Sequence, residues 1–181
     1  MRKIVLSLAL LSLFGGCSSD DVYTNYSRYK ANFSYGSVIT ATPLKDALNS
    51  PGIFCTITLG VSTLDFRSLT LSYSDPITAS TMYYQKIICI SGFIVGKSND
   101  YEMGADELNL VCYDLACSNC HHNDAINRNL ELREFGFAYC QRCKRKYNLN
   151  SHGLIVEGNA GRPLERYHIS YDGANRMAVW N

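Results

Sequence analysis

The chain has 181 residues, with 17 lysines and arginines against 16 aspartates and glutamates, a formal net charge of +1. That balance leaves no electrostatic case for nucleic acid as a partner, and the length fits one domain. Hydrophobic residues make up 46% of the chain, enough for a core, and 13 tyrosines with few helical runs favour strands.

Met1-Arg2-Lys3 places two positive charges ahead of an apolar run, Ile4 to Phe14, and Gly15-Gly16-Cys17 follows. This is the pattern of a secretory signal over residues 1–16. The run is too short to span a bilayer as a permanent helix. A cysteine directly after two glycines points to a bacterial lipoprotein cleaved before Cys17, with lipid on that residue as the membrane anchor. Phe14 stands where such signals usually carry Leu or Val, and an ordinary cleaved signal with Cys17 as a plain thiol is the alternative. Residues 17–30 are polar and tyrosine-rich and read as a tether. The domain then occupies 31–181.

From Ala31 to Tyr35 the pattern has period two and stops at Gly36, predicting a strand. A second short strand is expected over 38–42. Pro43 to Leu48 suits one helical turn before the breaker Asn49-Ser50-Pro51-Gly52. Ile53 to Leu59 is rich in β-branched residues and bounded by Gly52 and Gly60, a strand. Leu69 to Tyr73 alternates and ends at Ser74-Asp75-Pro76. Lys86 to Val95 is nearly continuously apolar, as in a strand buried on both faces, with a bulge at Gly92. Residues 96–106 read as a polar loop and Leu108 to Leu115 as a strand. Asp124 to Arg133 is polar, a loop or a short helix, and Phe135 to Tyr139 alternates. Three further short strands are expected at Leu154 to Val156, Arg166 to Tyr171 and Arg176 to Trp180. Many short strands with regular turn signals predict an all-β sandwich or barrel.

The chemistry concentrates in Cys117-Ser118-Asn119-Cys120 and Cys140-Gln141-Arg142-Cys143. Two residues between paired cysteines let both sulfurs turn inward on one tight knuckle. Two knuckles face to face make a tetrahedral cage, and thiolates suit zinc or iron rather than calcium or magnesium. An exported protein also meets oxidising conditions, so two disulfides remain an alternative. Cys55, Cys89 and Cys112 sit in expected strands, where cysteine packs as a small hydrophobe; one disulfide among them is the other possibility. Thiol–disulfide exchange of the thioredoxin kind asks for a helix after the CxxC, and neither knuckle is followed by a convincing amphipathic one.

The segment from Tyr113 to Tyr167 resembles the cluster-binding half of a Rieske-type domain. Cys112-Tyr113-Asp114-Leu115-Ala116-Cys117 is similar to the first loop of that family. Cys140-Gln141-Arg142-Cys143, then Tyr147-Asn148-Leu149, then Gly158-Asn159-Ala160-Gly161-Arg162-Pro163-Leu164-Glu165-Arg166-Tyr167, is similar to the second. The resemblance implies a Rieske-like β-sandwich or barrel with a two-knuckle metal-binding subdomain over 113–167. Overall the chain resembles Rieske-like lipoproteins of the Bacteroidetes, and Ser18-Ser19-Asp20-Asp21 after Cys17 resembles their surface-display tag. Localisation is then the outer membrane, on its cell-surface or periplasmic side.

The ligand set departs from that family. A Rieske centre uses two imidazoles on one iron, but Asn119 and Cys143 stand at the two histidine positions, and Cys120 completes four thiolates. The expectation is therefore one metal ion on Cys117, Cys120, Cys140 and Cys143, zinc first, with iron or a [2Fe–2S] centre serving electron transfer as the alternative. Cys120-x-His122 also has a Cys-x-His spacing, but that set would strand Cys117. His121 and His122 are otherwise expected around the site or in solvent, and His152 and His168 as structural residues. Lys144-Arg145-Lys146 would offset thiolate charge or form a solvated turn. A four-thiolate shell leaves no open position for substrate, and no catalytic set occurs elsewhere. The sequence thus predicts a non-catalytic module of the cell envelope with a protein or glycan partner.

Overall fold

The computed structural model describes residues 26–78, 86–100 and 109–181. The signal, Cys17, the acidic residues after it and most of the tether lie outside them. The described chain is mostly β. Its strands are β1 (Asn32–Tyr35), β2 (Phe54–Leu59), β3 (Thr63–Arg67), β4 (Ser72–Pro76), β5 (Phe93–Lys97), β6 (Leu110–Asp114), β7 (Glu131–Arg133), β8 (Phe137–Tyr139), β9 (Lys146–Asn148), β10 (Leu154–Glu157), β11 (Arg166–Tyr171) and β12 (Met177–Trp180). Two short helices, α1 (Thr42–Asn49) and α2 (Ser118–Asp124), complete it.

Eight strands form one antiparallel sheet in the order β1-β12-β11-β6-β5-β2-β3-β4, curled into a half-barrel. Its concave face carries Phe33, Tyr35, Ile57, Phe66, Phe93 and Val95, all buried, and α1 fills the hollow with Leu44, Ala47 and Leu48. Packing of these side chains, not capping, holds α1: Ala41 at its N-cap supplies no side-chain bond, although Pro43 suits the first turn.

The other sheet has four strands in the order β10-β9-β8-β7. It packs on the convex side of the first through a second core of Phe54, Ile94, Val111, Tyr113, Ala138, Tyr147 and Leu149, which also contains Cys117, Cys120 and Cys140. β5 and β6 lie between the two cores: Phe93, Val95 and Cys112 point to one, Ile94, Val111 and Tyr113 to the other. That is why their sequences read as unbroken apolar runs. Tyr113 pairs with Arg166 across β6 and β11. Residues 115–165 therefore leave the large sheet and return to it at neighbouring positions.

Several expectations change. Residues 38–40 form a turn into α1 in place of a strand, and α1 is longer than one turn. The long run from Lys86 is a strand only from Phe93. Before it, Ile88 makes a single bridge to Asn32, and Gly92 bends the chain at φ +146. A Cβ on residue 92 would stand 2.7 Å from the Ile57 carbonyl oxygen, so only glycine permits this approach. β3 and β9 lie in stretches with no predicted strand, and β4 begins later than Leu69 and includes Pro76. Proline is tolerated there because β4 is a sheet edge.

Candidate metal centre

The first knuckle hangs from the end of β6. Leu115 N donates to Gly92 O at 2.9 Å and Ala116 N to the Asp114 carboxylate at 2.8 Å, which turns the chain out of the sheet. Asp114 also accepts from Ile90 N at 2.8 Å and Tyr167 O–H at 3.0 Å. Burial raises the Asp114 pKa, and these bonds oppose the rise. Cys117 then occupies the N-cap of α2 and Cys120 its first turn. Of the stretch expected as a loop or short helix, residues 125–130 are loop, but Glu131–Arg133 form β7. α2 contains the first knuckle and ends at Asp124, with Ala125 capping it in the left-handed conformation, φ 53.

The second knuckle joins β8 to β9. Cys140 N donates to Arg145 O and Lys144 N to Cys140 O, both at 2.9 Å. This tight turn forces Lys144 to φ 59, a conformation that costs a non-glycine residue about 1–2 kcal/mol.

The two turns bring the four predicted cysteines together. Cys117 Sγ lies 3.6 Å from Cys143 Sγ and Cys120 Sγ lies 3.7 Å from Cys140 Sγ. All four sulfurs fall within 4.8 Å of one another. Sulfurs around one zinc at about 2.3 Å sit about 3.8 Å apart along a tetrahedral edge. The donor set therefore fits a single soft ion. Cys117, Cys120 and Cys140 are buried and Cys143 is partly exposed. Both close sulfur contacts run between knuckles, not within one, and the described cysteines are all free.

A buried polar network backs the sulfurs. The Tyr147 hydroxyl is 3.2 Å from Cys117 Sγ and accepts from Asn119 Nδ2 at 2.9 Å. The same Asn119 nitrogen donates to Arg162 O at 2.8 Å, and Asn119 Oδ1 accepts from Arg162 N at 3.0 Å. Gly161 makes room for this: a Cβ there would collide with Asn119 Oδ1. Arg145 reaches the same loop, residues 158–163, donating to Asn159 O at 2.8 Å and Ala160 O at 3.1 Å. Burial pushes the Cys143 thiol up, but hydrogen bonds from the Arg145 side chain and backbone outweigh it and bring it down to about 7. Cys120 is shifted the opposite way, first by burial and then by the neighbouring sulfurs. For Cys117, burial raises the thiol against bonds from Tyr147 and the Cys120 amide. Sequence reading placed Asn119 at a vacant ligand position. Its role as a clamp, and that of Tyr147, carry no local sequence signal, because each depends on chain more than twenty residues away.

The histidines stand apart from the sulfur cluster. His122 Nε2 pairs with Glu165 Oε1 at 2.9 Å, and His121 Nδ1 with Asn127 Oδ1 at 2.7 Å. The metal-ligand grouping among the described residues consists of the four cysteines, so the Cys120-x-His122 set is not formed. His152 contacts Arg166 at 3.2 Å, and His168 stacks between Tyr26 and Trp180. Of the remaining cysteines, Cys55 and Cys112 are buried and Cys89 is partly so. No helix among the described residues is long and apolar enough to cross a membrane. A scan against protein-family models gives no match, and neither does a comparison with curated proteins.

Proposed function

We propose that the chain is an envelope lipoprotein whose Rieske-like domain holds one metal ion, zinc first, through Cys117, Cys120, Cys140 and Cys143, and that it acts as a non-catalytic binding module. The observation that carries this reading is the mutual approach of the four sulfurs within 4.8 Å around a single point. A [2Fe–2S] centre would need its sulfurs in two pairs spread over two irons, so the compact set favours a mononuclear ion. The hydrogen bond from Tyr167 to Asp114 joins the two stretches that carry the Rieske resemblance. When bound, the ion cross-links the two knuckles and contributes directly to folding. The protein side chains would fill its coordination shell, leaving no position for substrate. Anchoring through Cys17 rests on the signal-like N-terminus.

Elemental analysis of protein purified from its host tests the metal. One zinc per chain in a colourless protein is expected. Iron, with colour that dithionite bleaches, would replace this reading with electron transfer. Absence of any metal would overturn it. Cys143→Ser should lower metal content and melting temperature together, and unchanged stability would rule out a structural role. Mass analysis of the mature N-terminus tests the anchor, with loss of residues 1–16 and acyl groups on Cys17 expected.

A further inference from the structure

The described chain begins by lying across one end of the large sheet. Ser27 N donates to Arg166 O at 2.7 Å. The Tyr26 ring stacks on His168 at 3.5 Å, and His168 stacks on Trp180 at 5.6 Å. In register, Asn32, Trp180 and His168 stand side by side on β1, β12 and β11. Their neighbours Phe33, Val179 and Ile169 point into the concave core. The three rings thus form a row on the outward face, and the Arg166 guanidinium lies 5.3 Å over the Tyr26 ring. Tyr26 is 38% exposed and Trp180 43%. Beside them Arg28 and Lys30 are exposed.

The metal centre makes no use of this row. Aromatic rings with an apolar body and a polar edge, flanked by cations, have the chemistry that settles among lipid headgroups. Its position supplies the second argument. Residues 18–25 separate Cys17 from Tyr26, and a tether of that length reaches at most about 30 Å. Tyr26, at one end of the row, is the described residue nearest in sequence to the anchor. An anchor within that reach keeps the face at an effective concentration on the order of millimolar at the bilayer, so even a weak surface contact is populated. Each cation near an anionic leaflet adds roughly fivefold to that population.

We infer that the face carrying Tyr26, His168 and Trp180 rests against the headgroups of the bilayer that holds the lipid on Cys17. The inference depends on the anchoring reading of Cys17.

Trp180 is the single tryptophan of the chain, so its fluorescence reports on this face alone. The test uses acylated full-length protein from host membranes, placed on vesicles of phosphatidylethanolamine and phosphatidylglycerol with or without a nitroxide quencher on the lipid headgroups. The expected result is a severalfold lower Trp180 emission on the nitroxide-bearing vesicles. Equal emission on both, with the protein still floating with the vesicles, would overturn the inference and leave the anchoring reading intact. A second copy of the chain covering the face would give that same equal emission. Protein without acyl groups on Cys17 would instead overturn the anchoring reading, and the inference with it.

Discussion

Asn119 and Arg162 hold one another at two points, the Asn119 amide donating to the Arg162 carbonyl at 2.8 Å and the Arg162 N–H returning to Asn119 Oδ1 at 3.0 Å. Together with the bond to Tyr147 this fastens the 158–163 loop over the sulfur cluster. Asn119→Ala would leave buried groups unpaired, at a cost of about 1–3 kcal/mol. Thermal melts of the metal-loaded protein should show a drop of roughly 2–4 °C for each kcal/mol lost. Asn119→His should be no milder, because the larger ring has to enter the space that Gly161 keeps open. A melt unchanged in both variants would contradict the clamp.

Tyr147→Phe keeps the buried ring and removes only the hydroxyl at 3.2 Å from Cys117 Sγ. Groups that support metal ligands in this way typically account for about 10–100-fold in affinity. Competition with a chromogenic chelator should reveal a loss of that size with little change in fold. Wild-type affinity in the variant would show that the hydroxyl serves packing alone.

Cys143 should be the first thiol modified once metal is removed. It is the most exposed of the four, and with burial outweighed by Arg145 its thiol sits at about 7. Iodoacetamide labelling followed by peptide mapping should give a rate midpoint near pH 7 for Cys143, and later reaction of Cys117 and Cys120, whose thiols burial raises. The same shift affects stability with a definite sign. A depressed thiol stabilises the metal-free fold above its ordinary value near 8.5, and that contribution drains away as pH falls through about 7. Labelling of Cys143 only at alkaline pH would contradict this.

Phe135 is 82% exposed and held at φ 61, ψ 25. Left-handed backbone costs a residue with a Cβ about 1–2 kcal/mol, and an exposed ring returns little packing. After allowance for the greater freedom of glycine in the unfolded chain, Phe135→Gly should stabilise the protein by up to about 1 kcal/mol. Urea unfolding measures it. A destabilised variant would mean that the ring contributes contacts its exposure conceals.

The strands legible in the sequence were those with one buried face and a clear turn at each end, such as β1, β2, β11 and β12. The run before Phe93 misled because apolar character continues through Lys86 to Gly92 while the backbone bends, and apolarity alone records burial, not direction. β3 has buried Leu64 and Phe66 at alternating positions, a pattern short enough to pass for the arm of a loop. α2 has no apolar stripe; two cysteines on one turn define it, and polar Ser118-Asn119 between them read as a linker. The ligand cluster was legible because CxxC spacing is itself local geometry. Its supporting network was not, since Asn119, Tyr147 and Arg162 meet only after the chain has folded back twice.

The pairing of Tyr113 with Arg166 has a consequence for how this molecule can change. The four cysteines and the Asn119, Tyr147 and Arg162 network behind them are carried on one excursion whose two ends sit side by side, so topologically it is an overgrown hairpin loop. Replacing it with a short turn would leave β6 and β11 paired as before. Such a cassette lets mutation rewrite its ligands, lengthen its loops or discard its ion while the half-barrel keeps its own core around α1. The two portions can drift at different speeds, one constrained by packing and the other by whatever the cluster is asked to hold.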